Sequence, residues 1–262
     1  MSTGELLDSA WALLATRSRS LLGVGFVLAL VEQLALFPLR SLADVTYGVF
    51  PHEDRLSWYA VLLLVGFGTE LAAVAVCGAI AAGTAPRALL GSAAPTLRRA
   101  PVGRIAVLVV LLVVLGTVAA VIPVGGLLVY LLFGLAVPVV VIEDAGPGRA
   151  LLRSFRLSSQ AALRAGWIRL LGWSAWFLIR LATGLGGWYA LSLLIDTGVA
   201  WRDHLVQGLA WLLINTVAYP VLGCLDAMLL LETRMRTEGL DIALRRTLHR
   251  GTAPITVLAA PR

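Results

Sequence analysis

Glu32, Glu70 and Arg180 each lie near the middle of a long apolar stretch, and Asp226 lies toward one end of another. An ionised side chain at the centre of a bilayer costs roughly 2.5 to 3.5 kcal/mol on insertion scales, so such residues face a protein interior or water. Read this way, three acids meet one base. The excess carboxyls must be protonated, bonded to another donor or hydrated, and a carboxyl that can carry a proton near neutrality suits proton coupling or general acid/base chemistry. Glu32, Glu70, Asp226 and Arg180 are therefore the catalytic candidates. The purely structural alternative pairs Arg180 with Glu70 or Glu32 across the helices, with Asn215 and Gln33 hydrogen-bonding between them.

Other chemistry is sparse. His52 and His204 fall in segments assigned to the outer side and lack the helical spacing of a metal pair, so no metal site is expected; His249 reads as a cation at a helix C-terminus. Cys77 and Cys224 lie inside separate apolar stretches and read as buried, inert thiols. There is no phosphate-binding Gly-Lys-Ser/Thr loop, Gly-x-Ser-x-Gly elbow or dinucleotide fingerprint, so no cofactor is expected. Energy for any transport then comes from a partner ATPase or an ion gradient.

The elements that position these residues are six stretches, about Leu21 to Leu42, Trp58 to Ala82, Ile105 to Ile122, Leu127 to Ile142, Trp167 to Ile195 and Leu205 to Leu231. A helix crosses about 30 Å of hydrocarbon with roughly 20 mostly apolar residues, and all but the short fourth approach or exceed that. A chain of 262 residues that is 59% hydrophobic and 14% charged has far too much apolar surface for a water-soluble domain. The expectation is an all-α polytopic membrane protein with six transmembrane helices.

All 21 basic residues are arginine, and they are unevenly placed. Arg17, Arg19, Arg87, Arg98, Arg99, Arg104, Arg149, Arg153, Arg156, Arg164, Arg169, Arg234, Arg236, Arg245, Arg246, Arg250 and Arg262 flank one side, against Arg40, Arg55 and Arg202 on the other. Basic residues in short loops stay in the cytoplasm, so both termini are expected there. The complete absence of lysine suggests arginine-biased coding, as in a high-GC bacterium. The net charge of +6 is thereby an orientation signal, with no nucleic-acid partner implied. The segment before Leu21 carries Glu5 and Asp8 and offers no small-residue cleavage site, so the first span reads as an uncleaved anchor.

A short pattern recurs before the first, third and fifth spans: Leu6-Leu7-Asp8-Ser9-Ala10, Leu89-Leu90-Gly91-Ser92-Ala93 and Leu151-Leu152-Arg153-Ser154-Phe155. Each copy opens a segment of helical apolar spacing that closes in arginine and leads into a pair of spans. The inferred unit is an amphipathic cytoplasmic-side helix plus a transmembrane hairpin, used three times over about 1–84, 85–145 and 146–235 of a single membrane domain, 1–250. In the third copy Arg149, Arg153, Arg156, Gln160 and Arg164 share one helix face, with Leu151, Leu152, Phe155 and Leu163 on the other. Those four arginines, with Asn215, are the candidates for binding a lipid headgroup or substrate; the alternative is a cytoplasmic collar with solvated arginines. Gly184, Gly186 and Gly187 predict a kink or break in the fifth span, and Pro38, Pro138 and Pro220 could kink theirs. Glu238 to His249 reads as a further amphipathic helix, and the tail 251–262 as disordered.

The run Pro138-Val139-Val140-Val141-Ile142-Glu143, followed by Gly148-Arg149-Ala150-Leu151-Leu152-Arg153-Ser154-Phe155-Arg156-Leu157, resembles the signature of the bacterial membrane domain attached to some glycerophosphodiester phosphodiesterases and found in many stand-alone membrane proteins. The segment Glu232-Thr233-Arg234-Met235-Arg236-Thr237-Glu238-Gly239-Leu240-Asp241 is similar to the ending of stand-alone actinobacterial members. The resemblance implies a multi-span plasma-membrane protein. No phosphodiesterase catalytic domain follows the last span, so it does not carry hydrolase activity over.

Three functions fit these residues. The first is a membrane subunit of a larger complex that binds, presents or exports an amphiphilic lipid or peptide while a partner ATPase or catalytic subunit does the work. The second is a cofactor-independent enzyme of the isomerase or epimerase type, with embedded carboxyls shuttling protons. The third is an autonomous ion-coupled permease.

Overall fold

Apolar runs in lipid have one economical backbone solution, the helix, because no water reaches their N–H and C=O groups. The computed structural model describes residues 3–44, 53–90, 102–122, 124–160, 163–194, 200–250 and 254–259, and among these there is no strand. Twelve α-helices follow in order: α1 Thr3–Thr16, α2 Ser18–Ala43, α3 Leu56–Ala82, α4 Ala85–Leu90, α5 Val102–Ala119, α6 Gly125–Phe133, α7 Ala136–Glu143, α8 Pro147–Ser159, α9 Arg164–Leu194, α10 Ala200–Glu238, α11 Leu240–His249 and α12 Ile255–Ala259. Five segments are long and apolar enough to cross a membrane: Ser18–Ala43, Leu56–Ala82, Val102–Ala119, Gly125–Glu143 and His204–Glu238. The chain is a membrane protein. α9, at 31 residues, has the length but carries Arg164, Arg169 and Arg180.

α10 is the axis on which the others pack. Its 39 residues extend about 58 Å at 1.5 Å per residue, and α1, α2, α3 and α9 all lie against it. The crossing with α3 is close enough to exclude side chains: a Cβ on Gly223 would stand 2.5 Å from the Gly78 nitrogen. Small residues at such a crossing let helix backbones approach, which is how membrane helices gain packing energy without a hydrophobic drive. Buried Cys77 and Cys224 flank this contact as free thiols. α5 stands at the periphery, packed on α3, α6, α7 and α8, with Val107, Val110, Val114 and Val118 exposed.

Several local expectations are corrected. The glycines of the fifth span do not break it; α9 runs continuously past Gly184, Gly186 and Gly187. Pro38 and Pro220 lie inside the continuous helices α2 and α10, positions at which a proline bends a helix without ending it. The break falls in the fourth span, which divides at Gly134-Leu135 into α6 and α7. Pro138 is the third residue of α7, where its missing N–H costs no helical bond, and that start position requires the preceding turn to end the helix before it. Every residue of α7 is buried.

α8 presents Ala150, Ser154, Leu157 and Ser158 to the protein, three of them small enough to let it lie close. Leu152 and Phe155, expected on the apolar face, are exposed, as are Arg149 and Arg156. Helical geometry puts the two apolar residues on one flank and the two arginines on the next, an arrangement suited to a helix lying along a lipid–water boundary. α11 follows α10 through Gly239 in the left-handed region (φ 63). The tail contributes α12, whose Leu258 is fully buried. Of the three repeat segments, the second continues beyond Leu90 into 91–101, outside the described residues.

Candidate functional site

A polar chain threads the interior of the bundle, and its centre is Glu32. This carboxylate, on α2, is 5% exposed, and its hydrogen-bond donors among the described residues are neutral side chains. It is held by four side-chain donors. Oε2 accepts from Asn215 Nδ2 at 2.9 Å, from Gln33 Nε2 at 3.2 Å and from the Tyr219 hydroxyl in a short bond, and Oε1 accepts from Thr69 Oγ1 at 3.0 Å. The donors come from three helices because Asn215 and Tyr219 stand four residues apart on α10 and so share the face that meets α2 and α3. Asn215 Nδ2 also donates to Tyr219 Oη at 2.7 Å.

Glu70, on α3, takes the arginine. Arg180 Nη1 donates to Glu70 Oε1 at 2.8 Å, and Trp173 Nε1 reaches the same oxygen at 3.2 Å. Arg180 also lies over the rings of Trp211 and Tyr219, at 5.7 and 5.6 Å from their centroids. A desolvated guanidinium gains from an aromatic face as well as from its counter-ion. Of the two candidate partners for Arg180, the structure pairs it with Glu70.

The fourth candidate, Asp226, has a partner that sequence spacing did not single out. Arg169, counted with the cytoplasmic arginines, is 1% exposed inside α9. Its Nε donates to Asp226 Oδ1 at 2.6 Å and its Nη2 to Oδ2 at 3.2 Å. The guanidinium lies 4.1 Å from the Tyr130 ring centroid and bonds the Tyr130 carbonyl. That carbonyl belongs to the last turn of α6, where helix geometry leaves acceptors unused. Ser154 Oγ takes another, donating to the Leu132 carbonyl at 2.8 Å. Thus the broken span is stabilised by an arginine and a serine that reach in from α9 and α8.

Arg40 is the second unexpected interior cation. Assigned to the outer side by its position, it is 6% exposed, donates through Nη2 to Gln33 Oε1 at 2.6 Å, and stands 5.8 Å from the Trp211 centroid. With Arg40 and Arg169 inside, the three embedded acids face three arginines. The excess of acid read from the sequence is removed, since long guanidinium side chains turn inward from positions near the ends of their helices.

At the other end of α10 a second cluster joins α7, α8 and α10. Glu143 accepts from Arg153 Nε at 3.2 Å and faces Arg234 Nε at 3.3 Å, and Glu238 pairs with Arg234 at 3.0 Å and closely with Arg153. Arg234 further donates to the Leu258 carbonyl at 2.7 Å, docking α12. Glu232 pairs with Arg164 at 3.6 Å and closely with Arg236. Burial works against the charge on Arg153, but Glu143 and Glu238 outweigh it and hold that guanidinium's pKa above its ordinary value. Of the four arginines proposed as headgroup contacts, Arg153 and Arg164 therefore turn to glutamates of the protein, while Arg149 and Arg156 remain exposed.

Small clefts open among the described residues. One, with room for about one water (≈ 20 Å³), lies between α3, α5 and α6 and is lined by Leu71, Val74, Ala75, Leu112, Val129 and Phe133 together with Arg169 and Asp226. Another, of ≈ 10 Å³, lies beside Glu232, Arg164 and Arg236. His52 is outside the described residues, and His204 is buried at 6% exposure on α10.

Fold and site together define an all-helical membrane protein with an ion-paired interior. No family model, no curated protein and no solved structure matches the chain.

Proposed function

We propose that this protein is an integral membrane subunit of a larger complex, binding, presenting or exporting an amphiphilic lipid or peptide in a bacterial plasma membrane. The observation that carries this reading is the small cleft between α3, α5 and α6, where six apolar side chains stand beside the Arg169–Asp226 ion pair. At ≈ 20 Å³ it admits an acyl or aliphatic chain only when the peripheral α5 moves away from α3, and a polar head then meets Arg169 and Asp226. The peripheral α5, with its row of exposed valines, is the surface on which a partner's membrane helix would pack. Catalysis or energy is the partner's.

In this reading α9 is the sixth span, its length of 31 residues sufficient and its Arg169 and Arg180 turned inward to acids on α10 and α3. Both termini are cytoplasmic, and α1 and α8 introduce repeated hairpins, in keeping with the resemblance to the stand-alone bacterial membrane domain. The enzyme alternative has less to draw on, because Glu70 and Asp226 already hold arginines.

Purification in mild detergent followed by mass spectrometry of bound lipids and peptides tests the cleft. Ala75→Trp, which fills it, should deplete one amphiphile retained by the wild type. A bound-molecule profile identical in both proteins and equal to the bulk membrane extract would remove the basis for this function.

A further inference from the structure

We propose that Glu32 is a reversible proton-binding site in the membrane interior, reached through a row of polar groups along α2 and α10. It goes beyond the amphiphile cleft, whose lining does not include Glu32. The argument begins with hydrogen counting. Asn215 Nδ2 supplies one hydrogen to Glu32 and one to the Tyr219 oxygen, so the single Tyr219 hydrogen is directed at Glu32 Oε2. Gln33 Nε2 is likewise a donor to Oε2. That oxygen is saturated by donors.

Oε1 differs. Its partner, Thr69 Oγ1, owns one hydrogen but lies 3.0 Å from three acceptors: Glu32 Oε1 and the carbonyls of Val65 and Gly66. With Glu32 ionised, Thr69 donates to it. With a proton on Oε1, the carboxylic acid donates to Thr69 Oγ1 and the threonine hydrogen turns to its own helix. Both states keep every donor of the set satisfied, and only the Thr69 hydroxyl rotates. Neither other embedded acid has this freedom: both Asp226 oxygens face Arg169, and Glu70 is ion-paired to Arg180.

The route of access is marked by buried atoms that have no hydrogen-bond partner among the described residues: Arg40 Nη1, Gln207 Oε1, Asn215 Oδ1, and Arg180 Nε and Nη2. Gln207 and Asn215 are eight residues apart on α10, about 12 Å, with Trp211 between them on the same face. The set contains both donors and acceptors. A bare anion would satisfy the arginines but oppose the two amide oxygens, whereas water serves both. The groups around Glu32 are Gln33 and Arg40 from α2, Thr69 and Glu70 from α3, Arg180 from α9, and Trp211, Asn215 and Tyr219 from α10. Arg180 is offset by Glu70. Arg40 is then the cation that balances ionised Glu32, and the row it belongs to leads to the end of the bundle where α2 finishes and α10 begins.

Infrared difference spectroscopy of the full-length protein in lipid, titrated across the pH range in which it stays folded, tests this. A carboxylic-acid carbonyl band should grow on acidification, vanish in Glu32→Gln, persist in Glu70→Gln, and shift in Thr69→Val, which removes the rotating hydroxyl while keeping the side-chain shape. Gln207→Leu should slow hydrogen–deuterium exchange of that band severalfold without moving its midpoint. A titrating band that survives Glu32→Gln, or the lack of any titrating embedded carboxyl, overturns the proposal. Unchanged exchange in a folded Gln207→Leu protein overturns the route.

Discussion

Arg169 holds Asp226 through two parallel hydrogen bonds, Nε to Oδ1 at 2.6 Å and Nη2 to Oδ2 at 3.2 Å, with both side chains almost wholly withdrawn from solvent. The pair joins α9 to α10, and the same guanidinium reaches back to a free carbonyl of α6. One residue thereby ties three helices together beneath the apolar cleft. Removing one member of a buried pair strands the other charge, at a cost of about 3–5 kcal/mol, whereas removing both does not. Asp226→Leu and Arg169→Leu should each lower the unfolding midpoint in detergent more than the double replacement does. Additive losses would show that the pair is not the unit.

Gly134 makes room for that guanidinium. A Cβ there would collide with the Arg169 guanidinium. Gly134→Ala should therefore displace Arg169 and destabilise the protein by about 1–3 kcal/mol, the usual penalty for overpacking. Gly186→Ala is the matched control, since nothing lies within 4 Å of its added methyl and helix propensity slightly favours it. Equal melting temperatures for the two variants would contradict the geometry at Gly134.

The Arg180–Glu70 pair discriminates between the two central glutamates. Arginine cannot shed its charge, so Glu70→Leu leaves an uncompensated guanidinium over Trp211 and Tyr219. In a double-mutant cycle on thermal stability, Arg180→Leu should couple strongly to Glu70→Leu and weakly to Glu32→Leu. A stronger coupling to Glu32 would mean that Arg180 changes partner in the membrane.

Orientation can be read by chemical labelling. Ser159 at the end of α8 is exposed and Asp54 has 78% of its side chain exposed, while both native cysteines are buried. Cysteine introduced at Ser159 should react with an impermeant reagent only in inverted vesicles, and cysteine at Asp54 in intact cells. Both reacting from the same side would refute an odd number of spans between them, and with it the six-span topology.

The helical, membrane-spanning character was legible in the chain because lipid imposes a one-dimensional rule: a span must be long, apolar and helical. Glu32, Glu70, Arg180, Asp226 and Asn215 could be picked out for the same reason, as polar atoms in places where polarity is expensive. The Gln207, Trp211, Asn215 and Tyr219 series, at steps of four, was readable as one helix face. What the sequence could not decide was which charges meet. Arg40 and Arg169 lie near helix ends and read as loop-side cations, yet a guanidinium on a long stem reaches several ångströms along its helix and takes a partner wherever packing leaves a carboxylate or a spare carbonyl. Likewise the fifth span looked breakable at its glycines and the fourth at Pro138. Tertiary contacts decided both: α9 is packed along α10 and stays continuous, whereas the fourth span divides at Gly134-Leu135, just before Pro138, where Arg169 and Ser154 bond carbonyls of the last turn of α6.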